Sequence, residues 1–361
     1  MRRTPKVAVI IIPPINVVKW LRGDNLKASP HSSAYSPVLT NHLALSAITA
    51  IVVFVAACEG DSSPSGATGS IQVGAKPWSV ALDEDRGLLY AGNEFDNTVS
   101  VVDIDSGEVI GVVDSGTGPG AIAVDAASGH AYVANAFSND VTVLDGTDVV
   151  FTIEAGLQPW DIAVDSGRRV YVANSGDGTV SVVDVSTLGV MDTFKGFREP
   201  WGVAVSADGA SLYVADAATD EVLRVDPDDG TILARGPAGE RPRGIALDEE
   251  SGRLYVANTE TANISVLSLL DLTPVATIGV GLAPLAVAVN ADQLQVYVVN
   301  SLADNMSVID SLSNTVVSTV PAGRKPWDVV VSDDGKLIYV AASASGEVLV
   351  MSADQLLQEG E

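Results

Sequence analysis

Four tryptophans, Trp78, Trp160, Trp201 and Trp327, each follow a proline directly, and they are all the tryptophans beyond Cys58. The prolines recur at Pro77, Pro119, Pro159, Pro200, Pro242, Pro284 and Pro326. The three other residues in this register are Gly120, Arg243 and Leu285. Positive charge collects in the same loops, at Lys76, Arg198, Arg241, Arg243, Arg324 and Lys325, which are 6 of the 14 basic residues after Cys58. An indole face stacks on flat or sugar-like ligands and attracts cations, while a guanidinium grips a carboxylate or phosphate with a fork of donors. On that chemistry the candidate ligand-binding residues are Trp78, Trp160, Trp201, Arg243, Trp327, Lys76 and Lys325. The ligand would be a small anion, a carbohydrate or a protein partner. A structural reading competes with it: the indoles cap gaps between packed elements, and Lys and Arg offset nearby carboxylates. Asp161 and Asp328, one residue further on, reduce the positive excess.

Other chemistries lack their residues. His31 and His42 precede Cys58, so His130 is the one histidine beyond it, in the turn-like stretch SGHAYV. A Ser-His-Asp site would depend on it alone. Zinc or haem ligation meets the same shortage of His and Cys. There is no P-loop and no glycine pattern opening a helix for a dinucleotide. Asp226-Pro-Asp228-Asp229-Gly230 resembles the start of a calcium loop but lacks the later acidic ligand, and Asp-Gly is a strong turn dipeptide. No catalytic residue, specific metal ligand or cofactor is therefore assigned. A divalent cation such as calcium stays open because acid dominates: the net charge is −26, and the chain after Cys58 holds 14 basic against 45 acidic residues. Such a surface repels nucleic acid, whose binding rests on neutralising phosphates.

The elements that position these residues repeat. The proline spacings are 42, 40, 41, 42, 42 and 42 residues. Each proline opens an apolar run such as WSVALD or WDIAVD. A tyrosine motif follows, including Tyr90-AGN, Tyr132-VAN, Tyr171-VAN and Tyr255-VAN, and then a run of the type VSVVD. A fourth run leads back to the next proline, and Asp, Asn, Gly and Ser fill the gaps as turn residues. The Asn pairs between the second and third runs suit turn backbone better than a ligand. Four short strands in a repeat of about 40 residues make a β-propeller blade. The expected fold is all-β: a seven-bladed β-propeller of four-stranded blades over residues 70–352. The Tyr-Val-Ala-Asn, Val-Ser-Val-Val-Asp and Gly-x-x-Pro motifs resemble the YVTN family of β-propeller repeat proteins, with the NHL repeat a weaker likeness. The resemblance covers all seven units. It implies the fold and is nearly silent on activity, because that fold also serves sugar-lactone hydrolases, lyases and redox subunits.

The last unit has three strands only. Residues 70–73 precede the first proline where every other unit has its outer strand, so they are expected to pair with 347–351 and close the ring. Residues 353–361 read as a polar tail. At the front, residues 43–57 (LALSAITAIVVFVAA) are too short for a comfortable membrane span and fit a signal-peptide core. Val55-Ala56-Ala57-Cys58 resembles the lipobox of bacterial lipoproteins, which implies cleavage before Cys58 and lipidation of its sulfur. Residues 1–57 then comprise an upstream extension and the signal peptide, and 58–69 a flexible tether. The expectation is an exported, monomeric propeller, held to the bacterial envelope (periplasm or cell surface) by its lipid alone. It acts as a non-catalytic binding or scaffold module with its ligand at the channel mouth. The alternative is a lactonase- or lyase-like enzyme using acidic residues there, with or without a divalent metal.

Overall fold

The structure is a computed structural model, and it describes residues 67–356 apart from Ser166. The signal peptide and the lipidation expected at Cys58 lie outside the described residues. Among the described residues twenty-eight strands, β1 to β28 in chain order, form seven separate four-stranded antiparallel sheets. The fold is a seven-bladed β-propeller, as the repeats imply. Blade 1 shows the pattern: β2 (Pro77–Asp83) is innermost, followed outward by β3 (Leu88–Asn93), β4 (Thr98–Asp103) and β5 (Glu108–Asp114).

Side-chain exposure follows strand order. β3 and β4 are almost wholly buried, whereas β5 is exposed along most of its length and buries Val113. The middle strands carry β-branched residues and one tyrosine per blade; Tyr90, Val99 and Val101 pack against the next blade, while Leu89 and Val102 pack against the preceding one. The core is accordingly seven wedges rather than one centre. Val80, Leu89 and Val348 belong to the wedge between the first and last blades, and Tyr90, Val101 and Ile122 to the next.

The asparagine that ends five of the seven tyrosine motifs is a clip. Asn174 donates to Thr179 Oγ1 (3.1 Å) and Ser181 Oγ (2.9 Å) and accepts from the Gly156 amide (3.2 Å). Asn93 does the same with Thr98, Ser100 and Gly74. These amides are fully buried and tie the proline loop to the blade, so they satisfy backbone rather than face a ligand. A second set of clips joins blades: Asn97, Asn139, Asp220 and Asp304 accept from the amides of Gly118, Gln158, Arg241 and Lys325, each just before the next blade's proline.

Ring closure runs as the missing strand requires, with shifted bounds. β1 (Ala67–Gln72) pairs antiparallel with β28 (Glu347–Ser352), matching Ser70 to Leu349, Ile71 to Val348 and Gln72 to Glu347. The strand starts three residues before the expected 70 because Thr68 and Gly69 also reach β28, through a bulge. Val73 lies past its end and donates to the Gly346 carbonyl (3.0 Å). At the other terminus the polar tail begins with a buried turn. α1 (Ala353–Leu356) buries Ala353 and Leu356, its two apolar residues, on the core of the last blade. Among the described residues no helix is long and apolar enough to cross a membrane.

Candidate functional site at the channel mouth

In every blade the pairing of the innermost strand shifts register just after its proline: between Pro77 and Ser79, Pro159 and Asp161, Pro200 and Gly202, and Pro326 and Asp328. In the blade built on β18 (Pro242–Asp248) the shift extends to Ile245. A bulge leaves the residue after the proline outside the ladder and turns its side chain. Proline suits the position, since a strand's first residue tolerates the missing donor. This bulge carries Trp78, Trp160, Trp201, Arg243 and Trp327 to the wall of one chamber of about 270 Å³.

There the aromatic rings pack on one another. Trp78 and Trp327 stack at 4.7 Å between centroids, 249 residues apart in sequence and side by side because the ring closes. Trp160 and Trp201 stack at 4.5 Å. Trp160 also leans past Gly120 of the intervening blade to reach Trp78 at 5.5 Å. The Arg243 guanidinium lies over the far face of this arc, 4.1 Å from the Trp201 ring. Phe137, absent from the sequence candidates, packs edge-on against both Trp78 and Trp160. Indole faces that looked available for stacking on a ligand are thus largely occupied by neighbouring rings. Among the described residues Trp327 has one aromatic neighbour, and Leu285 stands in the blade between it and Arg243.

Three charged residues line the chamber: Arg243, Asp161 and Asp328. Arg243 forms no ion pair among the described residues, and its buried Nε has no hydrogen-bond partner. Burial, together with repulsion from Arg241, lowers its pKa. Glu199, the nearby acid, is engaged elsewhere, accepting from Arg241 and from the Trp201 indole N–H (2.9 Å). Asp161 accepts from the Val203 amide of the next blade (2.9 Å) and from Ile162 (2.9 Å). Asp328 does likewise with Val80 (3.0 Å) and Val329 (2.8 Å). Burial nevertheless pushes Asp161 up to about 7, with a contribution from the charge of Asp328, and pushes Asp328 up to about 6. Sequence reasoning met these two only as a reduction of positive charge. Their signal was the tripeptide Pro-Trp-Asp, which occurs in just these two blades.

Lys76 and Lys325 do not join the chamber wall. Both precede a proline with positive φ (54° and 50°). Lys76 pairs with Glu94 (3.5 Å) and sits over Phe95, and Lys325 is exposed. His130 opens β7 (His130–Asn135), at the end of the strand that pairs with Asp125 rather than with Pro119 at the mouth. The acidic stretch at Asp226 is a turn: Asp226 accepts from the Asp228 amide, Asp229 from the Thr231 amide, and Gly230 takes a φ of 72°. Among the described residues no group of three His, Cys, Asp or Glu is placed to hold a metal.

A family model described as "Lactonase, 7-bladed beta-propeller" matches residues 170–277, less than a third of the chain. Among solved structures the chain is similar to "Kuenenia stuttgartiensis Hydrazine Synthase", 20% identical with a TM-score of 0.68, over 83% of this chain and 99% of that one. At that identity the likeness speaks for the fold. None of the curated proteins compared matches this chain.

Proposed function

We propose that this propeller is a non-catalytic binding module, exported and anchored through a lipid on Cys58, whose channel mouth holds a small anion. One observation carries the reading. The Arg243 guanidinium is half-buried with its Nε enclosed and unpartnered, lies over Trp201 and pairs with no carboxylate among the described residues, while Arg241 and Glu199 beside it are paired with each other. A buried cation without a partner is costly, and an incoming carboxylate or phosphate relieves that cost. The chamber volume is at the small end for ligand sites and suits a compact metabolite better than an oligosaccharide. The occupied indole faces point the same way. Calorimetric titration of acetate, succinate and inorganic phosphate tests the proposal. At least one should bind, and Arg243→Met should weaken it tenfold or more, a loss of about 1.4 kcal/mol or more. Equal binding by the variant, or no binding to the parent protein, overturns it.

A second reading has its own support. The lactonase-family match and the raised pKa of Asp161 suit a general base that activates water against a lactone carbonyl. Water would add to the carbonyl, the ring C–O bond would break, and a hydroxy acid would leave. Turnover of small aliphatic lactones that is abolished in Asp161→Asn would favour it, as would a stoichiometric divalent metal lost together with that activity.

A further inference from the structure

The three charged residues of the chamber sit in alternate blades. Asp161 comes from the third blade, Arg243 from the fifth and Asp328 from the seventh, so they face the channel axis from three sides. With both carboxyls ionised the lining sums to −1, which opposes an anion. With both protonated it sums to +1. Each Asp oxygen already accepts one backbone amide, which leaves a second lone pair for a proton directed at a ligand. Other charges around Arg243 are Arg241, Glu199 and Glu260, and the first two are paired with each other. Arg241 also pairs with Glu260 (3.6 Å), and none of the three lines the chamber.

Resting on the anion-binding reading above, we propose that the ligand is a small dicarboxylate that enters with a proton: one carboxylate lies on Arg243, and the other shares the proton with Asp161 or Asp328. No covalent step is involved, and the proton comes from solvent. A monoanion could satisfy Arg243 but would leave the carboxyl pair facing empty space. A dianion would meet net repulsion unless one of the pair is neutral. The raised pKa values make that neutral form accessible near pH 7 without a large penalty.

Binding should therefore track the protonation of the pair. By linkage, affinity is full well below the free-state pKa and falls about tenfold for each pH unit above it. The experiment is calorimetric titration of the full chain with succinate between pH 6.5 and 8.5, where succinate itself stays doubly ionised. Buffers of different ionisation enthalpy count the protons taken up. We expect a roughly ten- to thirtyfold loss of affinity across that range and uptake approaching one proton. Asp161→Asn and Asp328→Asn should flatten the profile. If these variants fold poorly, the proton count on the parent protein decides alone. Succinate binding that is independent of pH, with no proton uptake, overturns this inference and leaves the anion site standing. So does Arg243-dependent binding of acetate or phosphate without binding of succinate. If no anion binds at any pH, the anion site falls as well.

Discussion

Gly202 shows how tightly single residues set the mouth. A Cβ there would run into the Arg243 carbonyl oxygen of the adjoining strand, and one on Gly244 would come within 2.6 Å of the Leu285 carbonyl. Both glycines permit the close approach of neighbouring innermost strands. Gly202→Ala should cost about 1–3 kcal/mol through overpacking and should disturb Arg243, measured as a lower melting temperature together with weaker anion binding. Gly69→Ala, with nothing within 4 Å of its Cβ, should change stability by no more than about 0.5 kcal/mol. The asparagine clips give a second test. Asn174→Ala leaves the Gly156 amide and two hydroxyls without their partner and should cost about 1–3 kcal/mol in denaturant unfolding. At this scale the sequence was only partly legible. It named the indoles and Arg243, because their register after proline repeats. It did not reveal that the indoles use their faces on one another, since contact between Trp78 and Trp160 skips the blade that carries Gly120.

At the scale of elements, β1 is the most consequential strand. It supplies the outer strand of the last blade from the other end of the chain and buries Ile71 in the wedge between the first and last blades. Removing residues 67–72 should lower the melting temperature by about 10 °C or more. A deletion that melts like the parent would mean the ring closes some other way. The four-strand blade and this closure are legible in the sequence, because turn residues and β-branched runs alternate at a fixed period and the last unit lacks one run. The bounds of β1 are not. Ala67 and Gly69 have weak strand propensity and join because β28 offers an unpaired edge. The bulge after each proline is not legible either. A register shift leaves no composition signal, yet it aims every residue of the site.

For the whole molecule, acid sets the response to solvent. Asp161 and Asp328 have folded pKa values of about 7 and about 6, above the ordinary carboxylate value of 3.8. The folded state therefore holds more protons than the unfolded one between about pH 4 and pH 7. Stability contributed by these two is greatest at the acid end of that window and declines as pH rises through 6 and 7. Turn aspartates such as Asp184, Asp229 and Asp310 have lowered pKa values, through hydrogen bonds from neighbouring hydroxyls and amides, and act in the opposite sense at lower pH. Thermal scans should thus peak on the acid side of neutrality and fall toward pH 8. A flat profile from pH 5 to 8 would contradict the raised pKa values of the pair. With a net charge of −26, added sodium chloride should raise the melting temperature by screening self-repulsion. The closing pair has one more consequence, which concerns synthesis. Thr68 bonds to Val350, 282 residues later. A ribosome adding about 5–20 residues per second needs at least about 14 seconds to make that span. Throughout that interval the first strand of the propeller has no partner and the nascent chain is an open arc with two free edges, so whatever guards it until release has its longest task at Ala67–Gln72.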